Sequence, residues 1–346
     1  MKKLKVGVLG GGYISQLCYI PPLIKNKNID LKCVVDERNS IKNYIKEKFN
    51  IEVLDNLNAA LKKYNFDIFF VILPRKANVD SINKIIKNKI SVFTEKPLSY
   101  SKKEASKIMK LSRENNIYVS VGYMKIFDNN VDKLKNFILK KSRNKEIEEI
   151  RIYTNSFKMN KKIPKHQKPL ESRKKRFKEN YISPIFLKLQ NIGSYDWFIN
   201  VVSHSVNYIN YFFNLKNIEI FESKIQKDKF KIVLYNKKFN YKIIFNGSKS
   251  LKKKWDEGLQ IFSKKNKLNL KFNEPFDKKS SSKLIVNSYK NTKTYHAYKK
   301  NYLMNFEKQI NYFINCYKLN IKNTKNSVEQ INDEMEFIEK LYKVNK

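Results

Sequence analysis

The chain has 346 residues, 41% hydrophobic and 13% aromatic, which is enough for a folded core, and a soft prior of about 150 residues per domain suggests two domains. No apolar run approaches the roughly 18 residues of a membrane span, the start MKKLKVGVLGGG does not read as a signal peptide, and Cys18, Cys33 and Cys316 are too scattered for a disulfide framework or a zinc site, so a cytoplasmic protein with no membrane partner and no metal is expected. The net charge of +40 is mostly lysine spread along the whole length; no recognition-helix, zinc-finger or RNP-like motif focuses it, so it is read as composition and no nucleic-acid partner is expected.

In chain order, Leu4 to Leu9, Leu31 to Val35, Ile68 to Leu73, Ile90 to Thr94 and Ile117 to Val121 read as buried strands. Between them Ile41 to Phe49, Asn56 to Tyr64, Val79 to Asn88 and Lys102 to Asn115 read as helices. Alternating strands and helices imply an α/β domain with a doubly wound parallel sheet, over residues 1–122. After a helix near Val131 to Leu139, the runs Ile147 to Phe157, Phe230 to Tyr235, Tyr241 to Phe245, Leu259 to Phe262 and Leu268 to Phe272 read as hairpin strands. Residues 123–346 are therefore expected to form an α+β domain with an antiparallel sheet. It ends in two helices, one carrying Leu303, Phe306, Ile310 and Phe313, the other opened by a capping box of Ser327 and Gln330.

Three glycines stand in a row, in a chain with only 8, where the first strand ends and a helix should begin. The spacing is Gly10-x-Gly12-x-x-Ser15. In a dinucleotide turn the first glycine permits the tight bend, the second lets the backbone approach a pyrophosphate, and the third position wants a small residue. Asp36, at the end of the second strand, stands where a carboxylate would accept a ribose 2′-hydroxyl. It favours NAD, while Arg38 two residues on keeps NADP open.

Two further clusters carry chemistry. Thr94-Glu95-Lys96-Pro97 follows a parallel strand, where an open sheet binds ligands, and Pro97 restricts the backbone of Lys96. A lysine held near a hydroxyl and a nicotinamide can move a proton or orient the oxygen. In Asp196-Trp197-Phe198-Ile199-Asn200-Val201-Val202-Ser203-His204 a helix would put residues 196, 200 and 204 on one face, and His204 can serve there as acid or base.

In this order and at these distances, the glycine turn, Glu95-Lys96-Pro97 and Asn200-x-x-x-His204 resemble the Gfo/Idh/MocA family, named for glucose–fructose oxidoreductase, inositol dehydrogenase and rhizopine catabolism. The resemblance implies a Rossmann domain followed by a domain with a large, mostly antiparallel sheet. It implies NAD, or NADP, held by Gly10, Gly12, Tyr13, Ile14, Asp36, Arg38, Pro74, Asn78 and Glu95. It makes Lys96 and His204 the catalytic pair, and Lys96, Lys125, Asn200, His204 and Arg173 the substrate contacts. Asn200 stands where the family has aspartate, and Asn78 where Pro-x-x-x-His ends. The substrate implied is a sugar, inositol, sugar acid or nucleotide sugar, the last suggested by the basic stretch Lys161 to Lys178, and the partner implied is a second copy in a homodimer or homotetramer. A non-catalytic dinucleotide-binding regulator on the same fold is the alternative.

Overall fold

The computed structural model describes residues 2–74, 78–156, 170, 192–249, 255–273, 281–288, 290–296, 304–321, 323 and 325–344. The chain divides into two compact units: Met1–Tyr123 with Lys165–Pro184 and Phe306–Met335, and Met124–Pro164 with Ile185–Asn305 and Glu336–Lys346.

The first unit is built on six parallel strands, β1 (Leu4–Leu9), β2 (Ile29–Val35), β3 (Val53–Leu54), β4 (Ile68–Val71), β5 (Ser91–Glu95) and β6 (Val119–Gly122), in the order β3-β2-β1-β4-β5-β6. Their hydrophobic runs are continuous because helices cover both faces; β4 has all four residues buried. The connecting helices are α1 (Ile20–Lys25), α2 (Asn39–Phe49), α3 (Leu57–Lys63), α4 (Asn78–Lys87) and α5 (Lys102–Glu114). The strand order reverses between β1 and β4, and such a switch point opens a crevice at the carboxyl ends of the strands. Strand β3, only two residues long, was not foreseen. Helix α5 starts at a capping box: Ser101 Oγ accepts from the Glu104 amide at 3.4 Å, and Glu104 accepts from the Tyr100 amide at 3.0 Å.

The second unit begins with α6 (Asn129–Arg143) and continues through β7 (Ile147–Ser156), α7 (Ile192–Phe213), β8 (Ile218–Ile225), β9 (Lys229–Asn236), β10 (Tyr241–Lys249), β11 (Asp256–Ser263), β12 (Asn266–Phe272), β13 (Lys283–Ser288) and β14 (Thr292–His296). Its eight strands run β14-β13-β12-β11-β7-β10-β9-β8, every pair antiparallel except the central β7 and β10. Alternation buries Ile150, Ile152, Ile243, Phe245, Leu259 and Ile261 on one face. The three strands of this sheet that sequence reasoning missed, β8, β13 and β14, lie towards its two edges; β8 alternates but carries a register shift between Ile220 and Glu222, the last four residues of β13 are half-buried, and every residue of β14 is exposed.

The last two helices, α8 (Met304–Lys318) and α9 (Val328–Lys343), are divided between the two units. The stretch Phe306–Met335 belongs with the first unit because its aromatic stripe packs there. The Phe306 ring meets Tyr19 at 5.8 Å, and Phe313 meets Phe93 at 5.5 Å and Phe70 at 6.2 Å. Leu303 of that stripe lies outside the described residues. Helix α9 opens on the expected capping box, with the Gln330 amide donating to Ser327 Oγ at 3.4 Å and the Ser327 amide to Gln330 Oε1 at 3.2 Å. Beyond Met335 it joins the second unit, where Tyr342 packs on Tyr195 and Phe198. Among the described residues no helix is long and apolar enough to cross a membrane, and no cluster of side chains could hold a metal ion.

Candidate active site

The glycine turn lies at the switch point of the parallel sheet. Gly10 has φ +97°, and a Cβ there would collide with the Ile72 carbonyl, so only glycine fits. A Cβ on Gly11 would strike Ile41 at 2.9 Å, and the Gly11 amide donates to Asp36 Oδ2 at 2.9 Å. Ser15, fully buried, closes the turn by donating its hydroxyl to the Gly10 carbonyl. Gln16 holds it from the other side, donating to the Gly11 carbonyl at 2.7 Å and exchanging two hydrogen bonds with the Leu170 backbone, at 2.9 and 3.2 Å. Tyr13 and Ile14 open the helix, both half-buried, and burial pushes the Tyr13 phenol up to about 12. The helix widens to a π turn over Ser15–Tyr19 before α1.

Gly12 differs from every other glycine whose surroundings are described. At Gly7, Gly10, Gly11, Gly122, Gly247 and Gly258 an added Cβ would come closer than 3.0 Å to the chain itself. At Gly12 the nearest atom would be Arg38 Nη2, at 3.8 Å. The protein does not require glycine there, and open space beside a backbone turn is what a pyrophosphate needs. The residues therefore fit a dinucleotide.

Asp36 is 7% exposed. Burial alone would raise its carboxyl pKa, but the Arg38 side chain and the Arg38 and Gly11 amides more than reverse this and hold it below the usual range. Across the sheet, Glu95 is gripped by residues that sequence reasoning missed. Tyr19, fully buried, donates to Glu95 Oε1 and accepts from Gln309 Nε2 of α8 at 3.2 Å; the Lys96 amide donates to Glu95 Oε2 at 3.1 Å. Burial pushes the Glu95 carboxyl up, with the Tyr19 bond opposing it. Nothing local in the sequence marks Tyr19 or Gln309, since their link spans 290 positions. Lys96 is half-buried, and the Lys96-Pro97 peptide is cis.

Pro74 is exposed after β4, and Asn78, 1% exposed, opens α4 with its Oδ1 buried and lacking a hydrogen-bond partner among the described residues. Arg75 to Ala77 lie outside those residues, as do Arg173 and the stretch 161–178 apart from Leu170.

In the second unit, α7 buries Tyr195, Phe198, Ile199 and Val202 and leaves Asp196, Asn200 and His204 on its more accessible face, the foreseen i, i+4, i+8 row. Lys125 is enclosed: its residue is 3% exposed, its ammonium is paired with Glu257, and it lies 5.4 Å from the centre of the Phe272 ring. Glu257 also accepts from Tyr208 at 2.8 Å and Trp255 at 3.2 Å. Burial pushes the Lys125 pKa down, opposed by Glu257.

Residues 4–123 match a family model, GFO_IDH_MocA, described as an oxidoreductase family with an NAD-binding Rossmann fold. The uncharacterized oxidoreductase YrbE of Bacillus subtilis is 24% identical over 139 residues, 40% of this chain and 40% of that protein. Among solved structures, a 3-ketoreductase from Actinomadura kijaniata in complex with NADP and TDP-benzene gives a TM-score of 0.76 at 12% identity, over 100% of this chain and 98% of its own. The dehydrogenase MviM from Clostridium difficile gives 0.75 at 19%, covering 99% of both. An oxidoreductase from Agrobacterium radiobacter in complex with NAD+, L-tartaric acid and magnesium gives 0.73 at 12%, over 99% and 96%. At these identities the likeness to the solved structures is one of fold.

Proposed function

We propose, from the match of residues 4–123 to the model of an oxidoreductase family with an NAD-binding Rossmann fold, that the chain is a Gfo/Idh/MocA-type NAD(P)-dependent enzyme acting at a hydroxyl or keto carbon of a sugar-like substrate. The observation that carries this reading is Gly12, the one glycine among those whose surroundings are described that the chain's own packing does not demand. A dinucleotide held by its pyrophosphate at that turn would supply the nicotinamide that accepts or donates the hydride. Gly10, Gly12 and Ser15 shape the turn that receives the pyrophosphate. Glu95, fixed by Tyr19 and Gln309, sets the backbone from which Lys96 would polarise the reacting oxygen. His204 would exchange the proton of that oxygen, with Asn200 one turn before it hydrogen-bonding a substrate hydroxyl. The ketoreductase complex with TDP-benzene and the basic stretch Lys161 to Lys178 both support a nucleotide sugar within the substrate class. A role in sugar or surface-carbohydrate metabolism would follow from such a substrate.

Fluorescence titration with NADH and NADPH, followed by a turnover screen over sugars, inositols, sugar acids and nucleotide sugars, tests the reading. Lys96→Ala and His204→Ala are each expected to lower kcat about 10²- to 10⁴-fold while dinucleotide binding persists. Unchanged turnover in Lys96→Ala would remove that residue from the mechanism. The rival, a dinucleotide-binding regulator without activity, is favoured by neutral Asn200 and predicts tight binding with no turnover across the panel.

Two further parts of the proposal concern setting. Three buried free cysteines suit a reducing, cytoplasmic compartment. The sheet face opposite the buried one aligns Ile285, Asn269, Gln260, Arg151, Ile244 and Val233 in one cross-strand row, and a homodimer or homotetramer would cover its apolar end at Ile244 and Val233. Light scattering of Ile244→Lys against the unaltered chain checks this, since an unchanged mass would exclude that face.

A further inference from the structure

All three carbonyls of the glycine triplet are tied back to the chain. The Ser15 hydroxyl donates to the Gly10 carbonyl, Gln16 Nε2 to the Gly11 carbonyl at 2.7 Å, and the Gln16 amide to the Gly12 carbonyl at 3.0 Å. In a trans peptide a carbonyl and the N–H that follows it point opposite ways, and among the described residues the one cis bond is Lys96-Pro97. Holding the Gly11 carbonyl therefore aims the Gly12 amide away from Gln16, and holding the Gly12 carbonyl does the same for the amide of Tyr13. Successive amides whose carbonyls are tied back are what an anion-binding turn presents.

Gln16 also holds something remote. The residue is 4% exposed, its Nε2 donates to the Leu170 carbonyl at 3.2 Å as well, and its Oε1 accepts the Leu170 amide at 2.9 Å. A primary amide has two N–H donors, so one goes to the turn and the other to Leu170. Leu170 is 154 positions away, in the stretch Lys165–Pro184 that belongs with the first unit although both its flanks belong with the second. One nitrogen thus bridges the turn and a distant backbone. Tilting the Gly11-Gly12 peptide strains the bond to Leu170, and losing Leu170 lets that peptide tilt.

We propose that Gln16 is a positioning residue that couples dinucleotide affinity to the anchoring of Leu170: it sets the Gly12 amide for the pyrophosphate only while it also grips the Leu170 backbone. The proposal rests on the dinucleotide-binding reading above and goes beyond it, since it gives Lys165–Pro184 control over a turn made near the start of the chain.

The coupling is reciprocal, so it can be read from both ends without any substrate. Hydrogen exchange at the Leu170 amide of the unaltered chain should slow about 5- to 50-fold when NADH or NADPH, whichever binds more tightly, is saturating. Gln16→Met, which keeps the length and loses all three side-chain bonds, should weaken that dinucleotide by the same factor within about 3-fold. Gln16→Glu still accepts the Leu170 amide but turns an acceptor on the Gly11 carbonyl, and it should weaken binding at least as much. A variant that melts earlier yet binds the dinucleotide within about 2-fold of the unaltered chain would make Gln16 a packing residue and overturn the proposal. So would exchange at Leu170 that ignores the dinucleotide, a measurement that needs no variant to fold. Binding of neither dinucleotide by the unaltered chain would instead overturn the dinucleotide reading, and this proposal with it.

Discussion

Asp36 and Arg38 pair two residues apart at the lip of the glycine turn, with the carboxylate side chain 4% exposed and the guanidinium 24%. Lys125 and Glu257 pair across 132 positions within the second unit, with both side chains at 4% or below. Each carboxylate is satisfied by several donors. The difference lies in the cation: Arg38 keeps donors facing outward, whereas Lys125 is enclosed by Glu257 and the Phe272 ring. An ion pair open on one side can recruit a ligand, and a sealed one can only hold the fold.

Removing one partner from each pair should separate these roles. Glu257→Ala leaves an ammonium buried without its counter-charge and is expected to cost about 3–5 kcal/mol, measured as a fall in the urea midpoint. A loss below about 1 kcal/mol would mean that water reaches Lys125 and would blur the comparison. Asp36→Asn should cost less, under about 2 kcal/mol, because solvent screens the open side of Arg38. It should also change the pH dependence. The Asp36 carboxyl sits lower in the folded protein than its unfolded value near 4, so its contribution is complete above that value and is lost as pH falls through the folded one. The gap in stability between the unaltered chain and Asp36→Asn should therefore narrow below about pH 4; a gap constant with pH would refute the linkage. The smallest effect is expected for Tyr208→Phe, about 1 kcal/mol, since Lys125 and Trp255 still satisfy Glu257.

The same contrast explains what could be read in advance. The strands of the parallel sheet are unbroken apolar runs, and the turn residues Gly10, Gly12 and Asp36 are tied to them by short, fixed spacings. Both were therefore legible. The pairing of Lys125 was not legible because its partner, Glu257, is remote in sequence. Tyr19 and Gln309 were invisible for the same reason. The strands β13 and β14 lack the alternation that burial imposes on their neighbours, and in β8 a register shift between Ile220 and Glu222 interrupts it. Turns were harder to place than usual because, among the described residues, this glycine-poor chain puts asparagine at most positions of positive φ, namely Asn50, Asn116, Asn214, Asn240, Asn320 and Asn326, and has glycine there only at Gly10.

Helix α8 covers Tyr19, Phe70 and Phe93 of the first unit, yet its first packing residue, Phe306, is made long after β6 ends at Gly122. At ribosomal speeds of about 5–20 residues per second, the aromatic face of the parallel sheet would emerge roughly 10–40 s before its cover does. The nascent chain must therefore shelter that face by other means, and a fragment ending after β6 would expose Tyr19 and both phenylalanines to its neighbours.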